Sequence, residues 1–190
     1  MAQQIILIRH GETEWSRSGQ HTGRTDIPLT VEGERRAQAI GAALKGRAIS
    51  VRTSPLARAR ETCRLAGFAE NAVIDPDLTE WDYGIYEGRT TLDIRRERPE
   101  WSIWLSPIPN GESLEQVAAR AQRVIDHAAA AESDVALFAH GHILRVLAAC
   151  WIGLPPITGR YLALDTATIS VLGYERQTRV IRHWNSAPLL

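Results

Sequence analysis

The sequence predicts a three-layer α/β/α domain built on a mostly parallel central sheet. Three observations predict it. Short apolar runs alternate with helix-period segments through most of the chain. The run Ile5 to Ile8 is continuous, which suits a central strand covered on both faces. Two late stretches, "TATISVLGYE" and "RVIRHWN", read as an antiparallel pair that gives the sheet a mixed edge.

In chain order, the strand at Ile5 to Ile8 delivers Arg9 and His10 side by side, and Gly11 lets the backbone turn once they have been presented. An irregular stretch leads to "PLTVEGERRAQAIGAAL", a helix capped by Thr30. Gly33 stands where a capping box would need a glutamate, although Glu32 and Glu34 still suit the positive helix end. Ala37, Ile40, Ala43 and Leu44 follow the helical period, and Gly46 ends it. "AISVRTSP" is a second strand with Arg52, Thr53 and Ser54 at its far end. "LARARETCRLAG" is a second helix closed by Gly67. Beyond Ile74, "LTEWDYGIYEG" reads as a structured active-site loop. In the charged segment "TLDIRRERPEWSIWL", Pro99 interrupts any helix. "IPNGES" is a turn. Ser113 caps a helix with Leu114, Val117, Ala121 and Val124 on one face. "DVALFAHGHILRVLAACWIGL" then repeats the opening plan of strand, histidine–glycine and helix. No repeat or linker divides the chain, so residues 1–190 are expected to form one domain.

Composition narrows the partners. The 22 basic and 22 acidic residues balance, so no net field favours nucleic acid or an acidic membrane surface. Lys45 is the single lysine, and the other 21 basic residues are arginines, whose planar donor forks suit phosphate or carboxylate. Cys63 and Cys150 lack a CxxC or zinc spacing and are expected to be reduced thiols of a cytoplasmic protein. The opening "MAQQIILIRHGE" has no basic region before its apolar run, and no stretch is long enough to span a bilayer. Neither a signal peptide nor a membrane anchor is expected.

In α/β sheets ligands sit beyond the carboxyl ends of the strands. Three segments place polar groups there: Arg9–His10, Thr53–Ser54 with Arg58, and His140–Gly141–His142. Arginines and histidines converging at one rim suit an oxyanion, which a guanidinium binds bidentately and an imidazole can attack. The residues alone also admit a histidine tied to a carbonyl, arginines in structural ion pairs, and a zinc site on His140 and His142. Zinc lacks further ligands, because there is no cysteine cluster and His21, His127 and His183 have no helpful spacing.

"LIRHGETEW" resembles the opening motif of the histidine phosphatase superfamily, whose fold is called phosphoglycerate mutase-like. "TGRTDIPLTVEGERRAQ", "TSPLARARETC", "LTEWDYGIYEG", "NGES" and "FAHGHILRVLA" are similar to its later segments in the same order, from residue 5 to about residue 150. The resemblance implies that His10 is the nucleophile that becomes phosphorylated. It implies that Arg9, Arg58 and His140 enclose the phosphoryl group and that Glu80 is the proton donor, ahead of Asp82 and Glu87. No cofactor or metal is implied. A glutamate with an ordinary pKa of about 4 is poorly matched to donating a proton at neutral pH. The neighbouring Trp81 and Tyr83 are expected to raise its pKa by desolvation and the dianionic phosphate of a bound substrate to raise it further, with an acidic or near-neutral pH optimum as the result.

The resemblance also implies a substrate rim. Thr22 and the Gly23 backbone N–H are expected to donate to it, with Ser16 replacing an asparagine common in the family. Arg24, Gly141 and His142 complete the candidates. Ser54 is read as shaping the turn before Pro55. The stretch from Gly88 to Pro109 lacks the lysine that phosphoglycerate mutases carry in an insertion there, which favours hydrolysis over mutase chemistry. The quoted segments are especially similar to bacterial acid phosphatases and fungal sugar-bisphosphatases, so a small phosphorylated sugar or sugar acid is the expected substrate. Arg24, Arg89 and Arg95 are candidates for a second anionic group, and the tryptophans after Gly88 for a cover. The alternatives are a cofactor-dependent phosphoglycerate mutase and a non-catalytic phosphate-binding regulator. A homodimer is left open.

Overall fold

A computed structural model describes residues 3–47 and 49–188. Its sheet has six strands: β1 (Ile5–Arg9), β2 (Ile49–Thr53), β3 (Ala72–Ile74), β4 (Asp134–Ala139), β5 (Ile169–Glu175) and β6 (Thr178–Ser186). Their spatial order is β3-β2-β4-β1-β5-β6. The first four run parallel, and β5 and β6 add the antiparallel edge. This is the three-layer architecture expected from the alternation of apolar runs and helical segments.

Strand alternation divides the interior into two cores. Ile5 and Leu7 of β1, with Val135 and Leu137 of β4, face α5 (Leu114–Ala129) and α6 (Gly141–Trp151). Ile6 and Ile8, with Ala136 and Phe138, face α2 (Val31–Leu44) and α3 (Ala57–Leu65). Successive side chains on a strand point to opposite faces, so a continuous apolar run needs a helix layer on each side. Both runs have one.

Register fixes what the sheet presents at its carboxyl edge. Arg9 lies opposite Ala139, and Phe138 opposite Thr53. His10, Ser54 and His140 are each the next residue along their strands, so His10 and His140 leave the sheet at one level and Ser54 one residue before them. Backbone bonds continue the alignment past the strands, with His10 N–H donating to Ala139 O at 3.0 Å and Ser54 N–H to Phe138 O at 2.9 Å.

The turn after His10 is held by close packing. A Cβ on Gly11 would lie 2.6 Å from Gly33 O, and one on Gly33 would lie 2.3 Å from Glu12 O. The first turn of α2 therefore rests directly on the backbone that follows the Arg9–His10 pair. Thr30 caps α2 by accepting from Gly33 N–H at 3.0 Å, and Ser113 caps α5 through a capping box with Gln116.

Two elements depart from the sequence reading. The irregular stretch contains α1 (Glu14–Ser18), opened by a Thr13–Ser16 capping box, and β3 forms beyond the second helix. The five and three residues involved are too few to display a period. The remaining helix, α4 (Thr91–Glu97), stops just before Arg98 and Pro99, where proline disfavours helical backbone.

Candidate active site

His10 is buried, with its ring Nδ1 2.7 Å from Gly11 O. A carbonyl only accepts, so Nδ1 carries the proton and Nε2 keeps its lone pair. Burial, then the charges of Arg58 and Arg9, hold the imidazole pKa well below the usual histidine range. A neutral ring with a fixed tautomer is the form required for attack at phosphorus.

Around it stand three cationic or donor groups. The His140 ring centroid is 5.2 Å from that of His10. Its Nε2 lies 2.7 Å from Ser54 Oγ, while Nδ1 is buried without a hydrogen-bond partner. Arg9 donates through Nη1 to Leu164 O. Arg58, at 0% exposure, donates through Nη1 to Thr25 O at 3.0 Å and through Nη2 to Thr22 O and Gly23 O at 2.9 and 2.8 Å. The Nε atoms of both arginines are likewise buried without a partner. Buried donors are normally satisfied, so the two unpartnered arginine N–H groups, with the unpartnered His140 Nδ1 near them, suit acceptor oxygens beside His10.

Glu80 comes from the loop before Trp81 and is 4% exposed. Its Oε1 accepts from Trp81 N–H at 2.9 Å and Ile143 N–H at 3.0 Å, and its Oε2 accepts from His142 N–H at 3.0 Å. The carboxylate thus sits on the first turn of α6, where free amide donors and the positive helix end converge. The aromatic shell of Trp81 and Tyr83 is present, but the nearest partners of the carboxylate are these amides. Asp82 instead pairs with Arg24 at 2.6 Å, and Glu87 accepts from Gly23 and Thr25 N–H. Of the three carboxylates weighed from sequence, Glu80 alone joins Arg9, His10, Thr22, Gly141 and His142 in lining a cavity of about 170 Å³.

The rim differs from expectation at several positions. The Gly23 N–H, expected to face substrate, donates to Glu87 at 3.0 Å. Arg24 turns outward to Asp82, Arg89 pairs with Glu97, and Arg95 donates to Trp101 O, so none of these arginines lines the cavity. Ser16 lines it, although its hydroxyl is shared with the Thr13 backbone. Ser54 does more than shape a turn, because its hydroxyl reaches His140. The His140–His142 pair is split between two networks, with His142 Nδ1 lying 2.6 Å from the Tyr83 hydroxyl. Arg145, unremarked in the sequence reading, lines the cavity. It stacks over Trp104 at 4.8 Å and is pinned by Gly159 O and Arg160 O. The tryptophan cover therefore acts at one remove, bracing His142 and Arg145 from behind. A larger cavity of about 590 Å³ lies against α2, α3 and β3; Arg58 lines that one, and neither Arg58 nor His140 lines the smaller cavity.

Buried neutral histidines make stability depend on pH. His10, His140 and His142 are held well below the usual histidine range, chiefly by burial, and burial takes His21 to about 4. Their folded-state values lie below the unfolded value near 6.5, so the stabilising difference is complete above that pH. It is lost as pH falls from about 6.5 towards the folded values, because the unfolded chain then binds more protons. The melting temperature in scanning calorimetry should fall steadily from pH 7 to 4.5. A flat or rising trend across that window would contradict this arrangement of histidines.

A parallel sheet with an antiparallel edge, carrying Arg–His at the end of its central strand and a second histidine beside it, defines the phosphoglycerate mutase-like class. The model of the histidine phosphatase superfamily (branch 1) matches residues 5–187, and the chain belongs to that family. An acid phosphatase of Mycobacterium tuberculosis is 40% identical over 92% of this chain and 88% of its own length. The sedoheptulose 1,7-bisphosphatase of Saccharomyces cerevisiae is 37% identical over 81% of this chain and 69% of its own. Among solved structures, that of the open reading frame Rv3214 product from Mycobacterium tuberculosis superposes with a TM-score of 0.93 at 36% identity, covering 98% of this chain and 99% of that one. The protein is a phosphatase of this family. Among the described residues, no helix is long and apolar enough to cross a membrane.

Proposed function

We propose that this protein hydrolyses the phosphomonoester of a small phosphorylated sugar or sugar acid in the cytoplasm, through a phosphohistidine on His10 and without a metal. The observation that supports this reading is the neutral His10 with a bare Nε2, beside Arg9 and Arg58 whose buried Nε–H groups have no partner and His140 whose buried Nδ1 has none. Nε2 attacks phosphorus in line with the ester oxygen while those donors bear the charge on the equatorial oxygens. Glu80 gives a proton to the departing alkoxide, so the P–O bond breaks and the N–P bond forms. Water then enters, loses a proton to Glu80 and attacks the phosphohistidine, releasing inorganic phosphate and restoring both side chains.

The sugar reading is supported by the named substrate of the yeast relative and by the cavity itself. With Arg24, Arg89 and Arg95 engaged elsewhere, Arg145 is the arginine placed to meet a second anionic group. Its Nε and Nη2 are used by backbone carbonyls, which holds the guanidinium in place.

The test is a panel of sugar mono- and bisphosphates and phosphorylated sugar acids, assayed in excess EDTA. Phosphate release is expected to survive chelation. In Arg145→Ala, KM should rise about tenfold or more for substrates with a second anionic group, and less than about threefold for neutral sugar monophosphates. Release that requires added zinc or magnesium would refute the metal-free mechanism. Interconversion of 2- and 3-phosphoglycerate without net phosphate would assign the mutase activity instead.

A further inference from the structure

The contacts of Glu80 determine where it can carry a proton. Oε1 accepts from two backbone N–H groups, those of Trp81 and Ile143, which uses both of its lone-pair directions. Oε2 accepts from one, the N–H of His142. The single open direction on the carboxyl group belongs to Oε2, so a transferable proton has its place there.

A competitor stands beside it. The buried Tyr83 hydroxyl and the Glu80 carboxylate line the same cavity, and burial, then the Glu80 charge, raises the phenol pKa. A phenol donating to Oε2 would fill the last direction and leave Glu80 saturated by four donors, with no site for a proton to deliver. The phenol has only one proton to give. Its oxygen lies 2.6 Å from His142 Nδ1, and that nitrogen is 4.0 Å from Oε2. The imidazole is enclosed by Trp81, Tyr83 and Trp104. Burial, then the charges of Arg145, His21 and Arg9, keeps it neutral, so one ring nitrogen is bare.

We propose that His142 is a positioning residue: its Nδ1 accepts the Tyr83 hydroxyl proton and thereby keeps Oε2 of Glu80 free to carry the proton given to the leaving oxygen. This rests on the reading of Glu80 as the acid. No bond to phosphorus involves His142 or Tyr83. The imidazole sets the direction of one hydrogen bond, and that direction decides whether the neighbouring carboxyl group can act as a donor.

The experiment compares two substrates on the same enzyme: a sugar phosphate, whose departing alkoxide needs a proton, and p-nitrophenyl phosphate, whose departing phenolate does not. The readout is the ratio of their kcat/KM values, which reports only the steps through departure of the leaving group. It excludes the shared hydrolysis of the phosphohistidine and is unchanged by a general loss of folded protein. Glu80→Gln should lower the sugar-to-aryl ratio by about 100-fold or more. His142→Leu should lower it by about tenfold or more, because the Tyr83 hydroxyl turns to Oε2. His142→Asn, whose side-chain carbonyl can accept from Tyr83, should keep the ratio near the wild-type value. The double variant His142→Leu/Tyr83→Phe should recover it to within about threefold, since the competing hydroxyl is gone.

Recovery by a second substitution is the result that a merely structural His142 would not give. An unchanged ratio in Glu80→Gln overturns the assignment of the acid. A reduced ratio there, with no change in His142→Leu or no recovery in the double variant, overturns the role of His142 and leaves the acid standing.

Discussion

Replacing His10 with alanine should abolish phosphomonoesterase activity, with kcat lower by about 10⁴-fold or more, while the fold survives. The size of the loss follows from the chemistry. Without Nε2 there is no covalent intermediate, and the donor clamp alone retains only the part of the acceleration due to binding and charge stabilisation. The change removes a side chain whose one hydrogen bond is to the adjacent Gly11 carbonyl, so the α/β framework keeps its long-range contacts. Wild-type enzyme quenched with acid or base after mixing with a labelled substrate should carry protein-bound label that is labile in acid and stable in base. The alanine variant should carry none. Label stable in acid, or equal turnover by the variant, would place the nucleophile elsewhere.

Substituting Arg58 should damage chemistry and structure together. Arg58 is fully buried and its two terminal nitrogens hold the carbonyls of Thr22, Gly23 and Thr25, which belong to the loop facing His10. Arg58→Ala should lower kcat by about 10²- to 10³-fold through the lost equatorial donor. It should also lower the melting temperature, since each buried carbonyl left without a donor costs about 1–3 kcal/mol. Arg58→Lys should rescue little of either, because one ammonium cannot reproduce the span of the guanidinium fork. Kinetics and thermal unfolding on the same preparations check both effects. Activity within tenfold of wild type in Arg58→Ala would remove Arg58 from the phosphoryl clamp.

Much of this architecture is legible in the sequence because its central strands are unambiguous. Ile5 to Ile8 and Val135 to Ala139 are continuous apolar runs that end in histidine–glycine, and a strand covered on both faces can be written in few other ways. What brings the site residues together is less visible. Nothing local in "FAHGHILR" distinguishes Arg145 from a solvated helix arginine, and its place depends on Trp104 and on carbonyls 14 and 15 residues away. The same reason explains the misplaced rim. Arg24 meets Asp82 across 58 residues, and Gly23 meets Glu87 across 64. Charge and backbone freedom can be read from a string of letters, but the partner that consumes them is chosen by the folded chain.

The shared level at which His10 and His140 leave the sheet has a further meaning for folding. Side chains on a strand change face with each residue, so slipping β4 by one position against β1 would move His140 by about 3.3 Å and reverse the facing of the strand. Correct pairing and a competent catalytic centre are therefore one event. Enzyme recovered after denaturation should report, through its specific activity alone, the fraction of molecules whose strands have annealed in the native alignment.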